Sequence, residues 1–193
     1  QVDYLAPTII KTSLQAKKLD AAQAFPPHIA QIEGLGHGRV AFTGSQWMAQ
    51  DANFILMRKD FIDSHPEAAL GWIKADIEAL QFMLKDPYET VKIVAKDLPG
   101  FSTKDLWMGL YGSYAANTGS QETNVTVQAG FDKSVMDFIG EGFKFLQSVG
   151  LTKDDKPLPG AIYTDLVDRA LKEMNLKAPL GTIKGLPPSA FKG

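Results

Sequence analysis

The sequence predicts an α/β chain, with its strands gathered in the first third and helices filling the rest. Two observations carry this. Before Arg58, short β-prone runs alternate with short amphipathic runs, the order of a parallel sheet covered by helices. After Lys59, almost every apolar stretch steps by three and four and begins at a recognisable helix start. At 193 residues the chain is longer than the usual single domain and shorter than two, so length admits one large domain or two halves.

The elements follow in order. Val2 to Leu5 reads as a strand ended by Pro7, and Thr8 to Lys17 then places Ile9, Ile10 and Leu14 at helical spacing. Asp20 to Phe25 is an alanine-rich strand candidate. Pro26-Pro27 closes it and opens a helix through Ile29, Ile32 and Glu33, with Gly34 and Gly36 as stop signals. Arg39 to Thr43 and Asn53 to Arg58 are the next strands. Ser64-His65-Pro66-Glu67 has the form of a capping box, and Leu70, Ile73, Ile77, Leu80 and Leu84 continue it as one apolar stripe. Asp86-Pro87-Tyr88-Glu89 repeats that start ahead of Val91, Val94 and Leu98. Ser102-Thr103-Lys104-Asp105 is a third box, leading Leu106, Leu110 and Tyr114. Val135, Phe138, Ile139, Phe145 and Leu146 form a further face ended by Gly150, and Leu166, Val167, Ala170, Leu171 and Met174 form the last. The tail from Pro179 reads as irregular and partly mobile. Thr43 to Ala52 and Asn117 to Gln128 resist assignment, the second admitting a short strand at Val125 to Val127 or a loop.

Composition excludes several function classes. Apolar residues make up 45% and charged residues 22% of the chain, enough burial to fold. The formal charge is -2 with both signs interleaved, so there is no nucleic-acid footprint. The absence of cysteine removes thiol nucleophiles, disulfides and thiolate metal sites. The longest apolar run, Phe54 to Met57, is far shorter than the roughly 20 residues of a membrane-spanning helix. The chain opens at Gln1 without a basic or hydrophobic leader, which reads as a cut chain, any targeting segment having been removed or never included.

No catalytic constellation emerges. The histidines, His28, His37 and His65, stand in no metal-binding spacing. Serine nucleophile signatures are absent, and Gly34-Leu35-Gly36-His37-Gly38 follows a helix instead of opening one, the reverse of a phosphate-binding loop. Asp154-Asp155 is read as solvated or helix-capping. Trp72, Phe82, Trp107, Tyr111, Phe138, Phe143 and Phe145 fall in helical patterns and are read as core. What remains is a binding geometry at Phe25-Pro26-Pro27-His28, where a strand would turn into a helix whose first amides face a crevice.

Several segments carry a family resemblance. Gln15 to His28 resembles the helix, G-x-x-D-A, strand, W-E-P run of ABC-transporter solute-binding proteins of the nitrate/sulfonate/taurine type. Asn53 to Arg58, followed by Lys59-Asp60-Phe61 and His65-Pro66-Glu67, is similar to that family's return strand and its R-x-D-F-x-x-x-H-P-E sequence. Asp86-Pro87-Tyr88-Glu89-Thr90 resembles its x-x-P-x-E-A turn, and Phe145-Leu146 with Gly150-Leu151 its F-L-x-x-x-G-L helix end. Leu158 to Leu171 resembles its last helix. The likeness runs from about Val2 to Met174 in unbroken order. Where the family often has Trp-Glu-Pro, this chain has Phe25-Pro26-Pro27, keeping an aromatic wall and losing the acid.

The resemblance implies a type II periplasmic binding protein-like fold: two lobes with a hinge, lacking the amino-terminal portion. Residues 1–45 would be the later part of lobe two, 46–58 the hinge, with the strand Asn53 to Arg58 passing between lobes, 59–178 the helical second half of lobe one, and 179–193 an irregular tail. Helix faces around Ile73 and Ile77 would then lie exposed. The implied function is extracytoplasmic capture of a small anionic or neutral organic solute, sulfonate-, nitrate- or carboxylate-like, for an ABC permease in the inner membrane. The protein would be a periplasmic or lipid-anchored monomer without metal, cofactor or chemistry. Ligand contacts would come from Phe25, Pro27 and His28, from Gln46 and Trp47 near the hinge, and from Asn53. The alternatives are a thiamin-pyrimidine-synthesis-like enzyme using pyridoxal phosphate and a ligand-sensing regulatory domain.

Overall fold

The computed structural model describes residues 4–43, 52–113 and 124–193. Its described elements are α1 (Pro7–Gln15), α2 (His28–Gly34), α3 (Lys59–Ser64), α4 (Pro66–Lys85), α5 (Pro87–Asp97), α6 (Thr103–Tyr111), β1 (Asn124–Val127), α7 (Lys133–Ser148), α8 (Asp165–Glu173) and β2 (Gly181–Lys184), with a 3₁₀ turn at Pro188–Ala190. The chain is mixed in class but mostly helical, and β1 pairs with β2 in a two-stranded sheet.

The helix starts follow local chemistry. Asp86 caps α5 by accepting the Glu89 amide at 3.1 Å, with Pro87 in the first turn, where its missing N–H costs nothing. Ser102 and Asp105 close a full capping box on α6, the Ser102 hydroxyl accepting the Asp105 amide and the Asp105 carboxylate accepting the Ser102 amide. The box expected at Ser64 does not form. Ser64 is the last residue of α3, and its hydroxyl donates to the Asp60 carbonyl one turn back, so it is not free to cap α4. Asp132, which sequence reading passed over, caps α7 through the Val135 amide at 2.9 Å.

The expected parallel sheet is not found among the described residues. Tyr4 and Leu5, Asp20 to Phe25, Arg39 to Thr43 and Asn53 to Arg58 all lack strand structure, while Gln1 to Asp3 lie outside the described residues. The reason is physical: β propensity expresses packing on a half-buried pleated surface, which most of these residues lack, and the Val40 amide, at the one position packed on a core, donates to the Glu33 carboxylate. Phe25 is 65% exposed and Leu56 92%, with Phe54 and Ile55 also open to solvent. The strands that do form use Val127, which is buried, and Ile183, which packs on a core cluster.

The chain divides into two compact units, Gln1–Trp47 with Phe82–Val125 and Ile183–Gly193, and Met48–Gln81 with Thr126–Thr182. The first is centred on Trp107 of α6, 1% exposed, with Ala30, Val91, Leu106, Met108 and Tyr111. The Trp107 ring stacks on Tyr88 at 4.7 Å between centroids and meets Phe191 at 5.9 Å. Its Nε1 is buried without a hydrogen-bond partner among the described residues. The tail expected to be irregular is built into this core. The Leu186 amide donates to the Tyr111 carbonyl at 2.7 Å, the Ser113 amide to the Leu186 carbonyl at 2.8 Å, and the Tyr88 hydroxyl to the Ala190 carbonyl at 2.7 Å.

The second unit buries Leu70 and Ile77 of α4 with Ala129 and with Val167 and Ala170 of α8. Ile77 is 1% exposed and Ile73 packs on the same cluster. The expectation of bare faces at these residues is corrected: Ala129 and, from α8, Val167 and Ala170 share the buried cluster that covers them. Of the aromatic residues read as core, Trp107 and Tyr111 are buried, whereas Trp72, Phe82 and Phe145 are exposed. Helical spacing places them on a stripe, but it does not say where the stripe leaves the packed surface. No helix among the described residues is long and apolar enough to cross a membrane.

Candidate functional site

The first unit carries a groove between α2 and α6. The two helices run in opposite senses, Pro27 lying against Gly109 and Gly34 facing Asp105. The contact at Gly109 is close because the residue lacks a side chain: a Cβ there would stand 3.2 Å from both Cα and Cβ of Pro27 and 3.3 Å from Cβ of Pro26. The Pro26-Pro27 turn therefore rests on α6, and α2 starts from a fixed support.

Gln31 locks the outer side. Its Oε1 accepts the Lys11 ammonium at 2.9 Å, and its Nε2 donates to the Gly100 carbonyl at 3.0 Å, joining α1, α2 and the loop before α6. Both ends of the amide are used. The groove beyond it has a volume of about 340 Å³, at the lower end of ligand-sized clefts. Ala30, Leu35 and Met108 form its apolar wall, and Ser102, Lys104 and Asp105 bring polar groups. The Asp105 carboxylate is engaged by the cap, one oxygen accepting both the amide and the hydroxyl of Ser102. Lys104 is an exposed ammonium.

The structure brings together three of the residues singled out from sequence. Phe25 projects into solvent, Pro27 is half-buried against Gly109, and the half-buried His28 sets its ring edge-on to Phe101 at 4.9 Å and 75°. The turn differs from expectation in one respect. Only α2 follows it, seven residues long, and its Ile29 amide already donates to the Phe25 carbonyl at 3.3 Å, leaving fewer amides for a ligand. Asn53 belongs to the second unit, where it is exposed. Gln46 and Trp47 lie outside the described residues.

Sequence reasoning missed Gln31, Phe101 and Lys104. Lys104 and Asp105 were visible only as part of a cap, and nothing in their spacing signals that α6 pairs with α2. Gln31 has a recognisable helical position but no motif.

Two polar side chains at this end of the unit are already engaged. Ser102 spends its hydroxyl on Asp105, and the imidazole of His28 meets an aromatic ring instead of a nucleophile. In the core behind the groove, burial pushes the Tyr111 phenol above its ordinary range while its hydroxyl donates to the Met83 carbonyl at 2.9 Å. Among the described residues, no group of three His, Asp or Glu side chains is placed to hold a metal ion. No family model matches the chain, and no curated protein or solved structure is significantly similar to it.

Proposed function

We propose that the chain is the extracytoplasmic solute-binding component of an ABC importer, of the two-lobed type II fold, and that it captures a small anionic or neutral organic molecule without transforming it. The observation that carries the reading is the order of segments: Gln15 to His28, Asn53 to Glu67, Asp86 to Thr90 and Phe145 to Leu151 follow the nitrate/sulfonate/taurine type of solute-binding protein in sequence. The turn at Phe25 supports it locally. An exposed aromatic ring stands beside a half-buried imidazole, and no carboxylate lies between Ala24 and Ile32 to attract a cation. A permease in the inner membrane is the partner this role requires.

Calorimetry of the protein against alkanesulfonates, carboxylates and amines tests the reading. Binding of a sulfonate or carboxylate is expected, with loss of affinity in the Phe25→Ala/His28→Ala double variant. Binding confined to amines would overturn it, and so would a double variant whose affinity stayed within about 0.5 kcal/mol of the parent, the usual scatter for remote substitutions.

A further inference from the structure

We propose that Asn124 is an acceptor for an N-linked glycan. The inference rests on the extracytoplasmic reading given above, since the donor for this modification is used outside the cytosol. Of the four asparagines, Asn53, Asn117, Asn124 and Asn175, only Asn124 is followed two residues later by a hydroxyl side chain in the Asn-X-Ser/Thr arrangement, as Asn124-Val125-Thr126. The intervening residue is not proline.

The structure adds where that triplet sits. β1 spans Asn124–Val127, and successive side chains on a strand point to opposite faces. Val127 alone in the strand is buried, so the alternation sets Asn124 and Thr126 on the face opposite the core contact, and Val125 is itself exposed. Asn124 and Thr126 are both exposed. A glycan on the Asn124 amide would therefore extend into solvent without displacing the core residue two positions beyond Val125.

The reaction is a glycosyl transfer from a polyisoprenyl-diphosphate-linked oligosaccharide. The Asn124 Nδ2 forms a bond to C1 of the first sugar, the C1–O bond to the diphosphate breaks, and the polyisoprenyl diphosphate leaves with the electron pair. The amide gives up one proton to a base of the transferase. No oxidant or reductant is needed.

The test is transfer in vitro, with the purified full chain, an oligosaccharyltransferase and its lipid-linked oligosaccharide, read by mass spectrometry of the tryptic peptide running from Asp105 to Lys133. Modification at Asn124 is expected, lost in Asn124→Gln and Thr126→Ala and kept in Thr126→Ser. The Ser variant separates recognition of the hydroxyl from a merely structural role of the threonine. An unmodified parent chain would overturn the proposal, as would a glycan that survives Thr126→Ala. Cell fractionation of the source organism is read separately: a chain confined to the cytosol would overturn the extracytoplasmic reading and the modification in the cell together, whereas an exported chain lacking the glycan would overturn the modification alone.

Discussion

The guanidinium of Arg169 in α8 grips both carboxylate oxygens of Glu67 in the first turn of α4, Nη1 to Oε1 at 2.7 Å and Nη2 to Oε2 at 3.1 Å. Its Nε holds Glu173 at 2.7 Å, and Lys74 takes the other oxygen of Glu173 at 2.5 Å, so two carboxylates and two cations form one chain over the core of Ile77 and Ala170. Two parallel donors meeting two acceptors give this pairing a geometry that lysine could not supply.

That network predicts an acid-sensitive second unit. The Arg169 bonds hold the Glu67 carboxyl below its ordinary range, and the Lys74 and Arg169 bonds do the same for Glu173. Asp132 is lowered by the Val135 amide it caps. A depressed carboxylate contributes stability above its unfolded pKa, about 4.3 for glutamate, and that contribution is lost as pH falls through the folded value. Urea midpoints of the parent and Arg169→Gln should therefore differ at pH 7 and converge as pH falls through the depressed range of these carboxyls. The pairs are exposed, so added salt at pH 7 should narrow the gap as well. A gap that persists at low pH would mean that packing, not charge, is what Arg169 supplies.

How much of this was legible in the sequence varies with the range of the interaction. Asp86, Ser102 with Asp105, and the stop at Gly150 were readable because each cap is a contact between residues three or four apart. The strands were not, since Asn53 to Arg58 has the composition of a strand but its fate depended on a neighbour that the described residues do not provide. The groove was readable at one end, where Pro26-Pro27 announces a turn, and not at the other, because the pairing of Gly34 with Asp105 and of Gln31 with Gly100 spans some 70 residues. The tail misled for the same reason: proline and glycine at 185–188 suggest irregularity, and only the distant Tyr88, Trp107 and Tyr111 give it a place.

Two glycines should respond oppositely to alanine. Gly71 lies in α4 with open space where a Cβ would go, so Gly71→Ala is expected to stabilise by about 0.5–1 kcal/mol through helix propensity. Gly109 carries the same propensity gain, but its new methyl would press on the rigid ring and backbone of Pro27 at 3.2 Å. Overpacking of this kind costs about 1–3 kcal/mol, which exceeds the gain. Equilibrium urea unfolding of both variants checks the pair. A stabilised Gly109→Ala would show that the proline turn yields.

Removing a cap should cost what a cap contributes. Asp86→Ala strips α5 of the acceptor for the Glu89 amide, and Ser102→Ala removes the hydroxyl that accepts the Asp105 amide on α6; each is expected to lower stability by about 1 kcal/mol. Ser64→Ala is the control, because its hydroxyl bonds back into α3 and caps nothing in α4. It should fall within about 0.5 kcal/mol of the parent, as surface substitutions do. Equal losses at all three positions would mean that the Ser64 motif caps α4 in solution after all.

Residues 186–191 are part of the first unit's fold and do not merely lie on it. Tyr88 stacks on Trp107 and donates to the Ala190 carbonyl, while Phe191 reaches the same indole from the tail. Tyr88→Phe keeps the stack and removes the hydrogen bond, leaving a half-buried carbonyl to water, for an expected loss of about 1 kcal/mol. Phe191→Ala removes a partly buried ring from the wall of Trp107 and should cost about 1–2 kcal/mol, less than the 3–5 kcal/mol of a fully buried phenylalanine. Both variants should also shift the tryptophan emission, because water then approaches an indole that is otherwise 1% exposed. Trp47 and Trp72 emit as well, so the measurement is made in a Trp47→Phe/Trp72→Phe background. Unfolding midpoints and emission maxima that match the parent in both variants would detach the tail from the core.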